Sequence, residues 1–350
     1  MLSQQIVDWG KPLEARTYPD PVPEGTEVVL KVRACGVCHS DLHIWEGHFD
    51  LGQGRKLTIA ERGVKLPFTL GHEVVGEVIA LGPEASGVKV GDRRVVYPWI
   101  GCGECPACAS GDELMCLAPR TVGTRRHGGY SDRVLVPHAR YLLDYTGIDE
   151  ALAATCACSG LTAYSALKKL PKLKPSDTLL IVGAGGVGMA GIGLAATVTD
   201  ARLVVADVDP AKRAAARQAG AAEVVDNSAP DALQALQKMS GGGVAAAVDF
   251  VGAPASAGFA IEALRRGGTL VVVGLYGGAM PMPVAYFPLR MMRILGSYVG
   301  TLGEMRELLE IARTGRHVPV PIVERRLNDA NAVLEALKAG KVLGRTVLRP

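Results

Sequence analysis

Concentrated charge is what this 350-residue chain most lacks. Lys and Arg number 38 against 35 Asp and Glu, a formal net charge of +3. No run of like charges and no low-complexity tail occurs. A nucleic-acid or membrane-surface role needs a concentrated basic face, so neither partner is expected. The N-terminal Met1-Leu-Ser-Gln-Gln-Ile-Val-Asp has no apolar core of an export signal, and the expected location is cytoplasmic. One stretch, 178–199, is uncharged and long enough to cross a bilayer. It carries six glycines and opens like a strand, so it reads as a buried strand, turn and helix. At this length two domains are the natural prior.

Cysteines, by contrast, are clustered: 35, 38, 102, 105, 108, 116, 156 and 158. In a reducing compartment such clusters point to metal or redox chemistry rather than to disulfides. Cys102, Cys105, Cys108 and Cys116 form a C-x2-C-x2-C-x7-C pattern. Four thiolates so close can complete a tetrahedral shell around one Zn²⁺, leaving no open position, which makes that ion structural. An iron–sulfur centre or two disulfides are the alternatives. A second group is dispersed. Gly36–His43 packs Cys38, His39, Ser40, Asp41 and His43 into eight residues, and Gly71-His72-Glu73 and Cys158 lie beside glycines further on. Three protein ligands with one position open is how a catalytic zinc is held; Cys38, His72 and Cys158 are the expected three.

Before residue 175 the chain reads as short strands (Glu27–Ala34 half-buried by its alternation, Val74–Leu81, Arg94–Tyr97) with Gly and Pro punctuation, as in a small barrel-like β domain. Segment 50–67 reads as an excursion between two strands, either a wall of a cleft or a plain surface loop. After Pro175 the character changes. Thr178–Val182 is a continuous apolar strand running into Gly183-Ala-Gly185-Gly186-Val187-Gly188, and a second strand, Arg202–Ala206, ends at Asp207. That is G-x-G-x-x-G between strand and helix: glycines for a tight turn, close approach to a pyrophosphate and helix packing, with an acid for the ribose hydroxyls. The helix N-terminus adds free N–H groups for phosphate. Asp207 and Asp209 would repel a 2′-phosphate, which favours NAD over NADP. The alternation continues: strand Glu223–Val225, helix Ala232–Met239, strand Val244–Phe250, helix Ser256–Arg266, strand Thr269–Val273. It predicts a parallel sheet, with Gly274, Gly277 and Gly278 either near the nicotinamide or in an ordinary turn. Helical patterns at Glu304–Arg313 and Ala330–Ala339 and a closing strand at 344–348 end the chain.

The order and separation of Gly36-Val-Cys-His-Ser-Asp, Gly71-His-Glu, the four-cysteine lobe, Cys158-Ser-Gly-Leu-Thr-Ala-Tyr164 and Gly183–Gly188 resemble the zinc-dependent alcohol dehydrogenases of the medium-chain dehydrogenase/reductase superfamily, bacterial and archaeal members above all. The resemblance covers nearly the whole length. It implies an α/β protein with a GroES-like catalytic domain (1–157 and 297–350, with the zinc lobe at about 100–118) and a Rossmann domain (158–296), assembled as a homotetramer. It implies two zinc ions per chain and reversible NAD-linked oxidation of a primary or secondary alcohol, an EC 1.1.1.1-type reaction, by hydride transfer from a zinc-bound alkoxide. Glu73 becomes an alternative fourth ligand, and Asp41 the acceptor that fixes the His72 tautomer. Ser40 and His43 relay the proton. His39 stands where many relatives carry arginine against the pyrophosphate. Thr162, Val273, Gly274 and Leu275 border the nicotinamide, Arg345 the pyrophosphate, and Trp99 the substrate. Cys158 rather than Cys156 keeps the spacing to Gly160 and Thr162, leaving Cys35 and Cys156 as small buried residues. His48, His127, His138 and His317 have no motif partner. Polyol or thiol-adduct dehydrogenases, zinc-free quinone or enoyl reductases and a zinc-ribbon interaction module are the rival readings.

Overall fold

The computed structural model describes residues 1–317 and 319–350. Its largest sheet has seven strands around Val28–Val37. Glu73–Leu81 pairs antiparallel along one side of that strand. The other side is shared: residues 28–31 pair with Arg133–Val136 and residues 35–37 with Arg345–Arg349. Arg93–Val96 and Leu142–Asp144 extend one edge, Ile322–Arg326 the other. The segment expected to be half-buried is instead a central strand. Val28, Val29 and Leu30 are buried in succession, so both faces of the sheet are covered at that end of the strand. Its register positions the chemistry: Gly36 lies opposite Glu73, so the strand delivers Cys38 beside His72.

The second sheet is wholly parallel, with spatial order Glu223–Val225, Arg202–Ala206, Thr178–Val182, Val244–Asp249, Leu264–Val272, Arg293–Gly296. In order of sequence that is 3-2-1-4-5-6, the doubly wound dinucleotide-binding arrangement. Alternate residues of its central strands enter different cores: Leu179, Ile181 and Val205 one, Leu180, Val182 and Val204 the other. Both faces are therefore covered, which is why these strands read as continuous apolar runs. The 178–199 stretch resolves into the first strand and the helix Gly186–Ala195. Among the described residues no helix is long and apolar enough to cross a membrane.

Local signals set several boundaries. Asp209 accepts from the N–H groups of Ala211 and Lys212 ahead of Pro210, capping the helix Pro210–Gln218. Thr301 and Glu304 cap Leu302–Thr314 reciprocally. The helix expected over Ser256–Arg266 stops at Ala263, and the strand begins at Leu264 rather than Thr269. The Gly267-Gly268 pair falls in a register jump, Val244 facing Leu264 but Ala246 facing Thr269. The excursion before His72 opens with a two-stranded hairpin, His48–Gly52 against Arg55–Thr58.

Candidate functional site

Between the two sheets lies a cleft of about 440 Å³. One wall carries Cys38, His39, Ser40, His43, Trp99, Cys158 and Thr162; the other carries Gly183–Gly188, Asp207, Phe250, Val251 and Val273–Tyr276. Cys38 caps the short helix His39–Glu46, and Cys158 sits within a π-helical stretch, Cys156–Gly160, between the helices Glu150–Thr155 and Leu161–Lys168. A π turn inserts one residue into the helical repeat, a device common at functional sites. Here Cys158 faces Cys38, while the Cys156 sulfur lies near Gly160.

The donor atoms of Cys38, His72, Glu73 and Cys158 lie within 4.8 Å of one another, and all four residues are buried. The Cys38 and Cys158 sulfurs are 3.8 Å apart, the separation of about 3.8 Å that two thiolates have on one tetrahedral zinc. His72 Nδ1 lies 3.2 Å from Asp41 Oδ1, but among the described residues neither ring nitrogen of His72 makes a well-formed hydrogen bond, and the buried Oε2 of Glu73 has no hydrogen-bond partner either. Buried polar atoms without partners are costly, and two thiols, an imidazole nitrogen and a carboxylate oxygen around one point are a zinc donor set. The residues fit a zinc ion. Asp41, fully buried, also accepts from the Cys38 and Gly71 N–H groups, tying the ligand loops together.

The electrostatics fit the same reading. The close Cys158 sulfur, aided by His72, pulls the Cys38 thiol well down, while Cys158 is pushed up by Cys38 and by burial. Burial raises the Glu73 carboxyl to about 7, the pull of Arg345 keeping it from going higher. Arg345 Nη2 donates to Glu73 Oε1 at 2.5 Å, both side chains buried. Arg345 also packs on Gly186, where an added Cβ would stand 2.6 Å from its Cδ. Burial lowers the His43 imidazole; His39 stands exposed on the cleft wall. Trp99 donates from Nε1 to Ala157 O and sits 5.4 Å from the His72 ring.

The nucleotide side follows the glycine motif. Gly188 has no room for a side chain, since a Cβ there would lie 1.9 Å from Gly183 O. Asp207 Oδ2 accepts from Ala184 N at 2.7 Å and Oδ1 from Asp209 N at 2.9 Å. Each oxygen keeps a lone pair for a further donor. Thr162 Oγ1 is buried without a partner among the described residues. Residues missed from sequence also line this cleft: Lys212 beside Asp207, and Ser297, Tyr298 and Val299 just past the strand Arg293–Gly296. The rule that ligands bind beyond the strand C-termini would have flagged the latter three.

Apart from the cleft, Cys102, Cys105, Cys108 and Cys116 also bring their sulfurs within 4.8 Å of one another. The Cys102–Cys108 and Cys105–Cys108 separations of 3.9 and 3.5 Å suit a four-thiolate shell. The lobe is moored by Glu113, which accepts from Gly101 N, Arg140 and Tyr141 Oη. Of the histidines without motif partners, His127 accepts from Thr69 N and stacks on Phe68, and His138 accepts from Arg140 N.

A doubly wound sheet facing a β domain that brings two metal-type donor clusters together defines a zinc-binding dehydrogenase. Residues 24–145 match the "Alcohol dehydrogenase GroES-like domain" family and residues 186–314 the "Zinc-binding dehydrogenase" family. NAD-dependent alcohol dehydrogenases of Sulfurisphaera tokodaii and Saccharolobus solfataricus are each 35% identical over 352 residues, with 100% of both chains covered. The crystal structure of the alcohol dehydrogenase from Aeropyrum pernix superposes with a TM-score of 0.90 at 32% identity, again covering 100% of both chains. The chain belongs to the zinc-dependent alcohol dehydrogenase family of the medium-chain dehydrogenase/reductase superfamily.

Proposed function

We propose that this chain reversibly oxidises a primary or secondary alcohol to an aldehyde or ketone, with NAD⁺ as hydride acceptor and EC 1.1.1.1-type chemistry. The observation that carries the reading is the convergence of Cys38, His72 and Cys158: the two cysteines line one wall of a cleft whose other wall includes Gly183, Gly185, Gly186 and Gly188, and His72 is buried beside them. When bound, zinc supplies the Lewis acidity that makes an alcohol oxygen acidic, and NAD⁺ supplies the hydride acceptor. Cys38, His72 and Cys158 hold that zinc, Glu73 is an alternative ligand, and Asp41 orients His72. Ser40 takes the alcohol proton, and His43 passes it to solvent; the uncharged imidazole favoured by burial is an acceptor. Thr162, Val273, Gly274 and Leu275 border the nicotinamide, Asp207 takes the ribose hydroxyls, and Arg345 and His39 face the pyrophosphate. Trp99 walls the substrate pocket.

The second zinc, at Cys102, Cys105, Cys108 and Cys116, is structural, supported by the four converging thiols. Residues 1–157 and 297–350 form the catalytic domain and 158–296 the cofactor domain, a division supported by the separate sheets their strands join. Self-association, which the family resemblance makes a homotetramer, is supported by the edge strand Arg293–Gly296 and its exposed apolar neighbours Val284, Leu289 and Met291. Two thiol-rich sites suit a reducing, cytoplasmic location. The test is zinc content per chain alongside NAD⁺ reduction over an alcohol panel, with Cys38→Ala beside the parent. Two zincs and turnover are expected. The variant is expected to keep one zinc and lose at least about 10³-fold in kcat, since Lewis-acid assistance is worth several kcal/mol. Near-parental turnover of Cys38→Ala overturns the reading.

A further inference from the structure

The hairpin His48–Thr58 belongs to the β-rich part of the chain, yet it meets the segment that continues the other wall of the cleft past Tyr276, backbone close against backbone. A Cβ built on Gly52 would stand 2.3 Å from Ala279 N and 2.5 Å from Gly278 C. In return, a Cβ on Gly277 would stand 2.7 Å from Asp50 O. Two segments that far apart in sequence meet where only two glycines allow it. Both ends of the contact are fixed. Asp50 Oδ1 accepts from Gly52 N at 2.8 Å within the hairpin. On the opposite wall Tyr276 N and Gly277 N donate to Val251 O and Gly252 O, each at 3.1 Å. The turn so pinned carries Leu275 and Tyr276, which line the cleft.

The same hairpin bears Phe49, whose ring centroid is 5.0 Å from that of His43. Arg62 covers that ring, its guanidinium carbon 5.1 Å from the centroid. Whatever seats the hairpin therefore also seats the imidazole assigned above to proton relay.

We propose that the hairpin His48–Thr58 is a latch whose seat on the 277–279 turn holds the cleft closed over the nicotinamide end of the cofactor and sets Phe49 against His43. Gly52, Gly277 and Phe49 are positioning residues, and the inference rests on the dehydrogenase reading above. It requires opening of the seat for the reduced cofactor to leave.

Gly54 supplies the control. It has φ +75°, against +76° at Gly52, but among the described residues nothing stands within 4 Å of its would-be Cβ. Gly54→Ala thus carries the same left-handed backbone strain as Gly52→Ala without touching the opposite wall. The experiment is NADH release from zinc-replete enzyme, followed by stopped-flow fluorescence, with equilibrium NADH titration. Gly52→Ala is expected to speed release and weaken binding by about tenfold, the scale of one lost packed contact, with Gly54→Ala within about twofold of the parent. Gly277→Ala reads the contact from the other side and serves if Gly52→Ala fails to fold. Phe49→Leu, which leaves the seat intact, is expected to lower kcat without speeding release. Equal release rates in Gly52→Ala (or Gly277→Ala) and Gly54→Ala overturn the latch while leaving the dehydrogenase reading intact. Failure of the parent to bind NADH overturns that reading, and the latch with it.

Discussion

The carboxylate of Asp41 reaches the imidazole of His72, with Oδ1 3.2 Å from Nδ1, and neither side chain is exposed to solvent. Asp41 stands on the helix after Cys38, His72 ahead of the paired strand, so this contact and the Asp41 bond to Cys38 N join two of the proposed zinc ligands. Removing the charge while keeping the shape tests that link. Asp41→Asn is expected to weaken the catalytic zinc by about 10–100-fold and leave the four-cysteine zinc in place. Competition against a graded chelator, with the structural ion as internal reference, measures this. Equal loss of both ions would count against the assignment.

Cofactor choice turns on Asp207. Its oxygens already hold Ala184 N and Asp209 N, so the carboxylate is fixed where a ribose would meet it. A 2′-phosphate would meet that charge, although Lys212 lines the same cleft. The parent is expected to prefer NAD⁺ in kcat/KM. Asp207→Asn should shift the NAD⁺/NADP⁺ ratio by about 10–100-fold towards NADP⁺, the worth of one hydrogen bond to a charged group. A parent that prefers NADP⁺ would refute the argument.

Acid stability should depend on Glu150. It binds Arg33 at 2.5 Å, Tyr145 at 2.9 Å and Arg349, clamping the helix Glu150–Thr155 to two strands of the main sheet. Burial alone would raise its carboxyl, but the bonds from Arg33, Tyr145 and Arg349 outweigh that and lower it below the usual 4.5. A carboxylate held low in the folded state stabilises it above the unfolded value, and the contribution disappears as pH falls through the folded value. Glu150→Gln should therefore melt below the parent at neutral pH, with the gap closing as pH drops below about 4.5. Melting curves across that range decide it; a gap independent of pH would rule the clamp out.

Much of this was legible in the sequence because the chemistry is local. The four-cysteine spacing and the glycine turn carry their geometry within a few residues. Cys38, His72 and Cys158 were legible as residue types beside glycines, but their meeting depends on the long-range pairing of Gly36 with Glu73. The π turn that aims Cys158 left no signal, since backbone hydrogen-bond register is a tertiary outcome. The hairpin did leave one, Gly52-Gln-Gly54 between Phe49 and Leu57, hidden by exposed faces that lack clean alternation. Lys212 was concealed for a different reason. A lysine two positions into a helix is usually a solvated side chain, and only the cleft around Asp207 distinguishes it.

Strand Arg345–Arg349 lies between Val28–Val37 and Ile322–Arg326, and it has a consequence for synthesis. The parallel sheet uses only residues 178–296 and can be complete while the ribosome is still at work. The main β sheet must wait for Arg345–Arg349, made after every strand of the parallel sheet. At about 5–20 residues per second, that is a delay of several seconds, during which Val28–Val37 has a vacant edge beside Cys38. Val28–Val37, made before the parallel sheet, is thus completed after it, and the proposed zinc site gains its neighbour Arg345 only then.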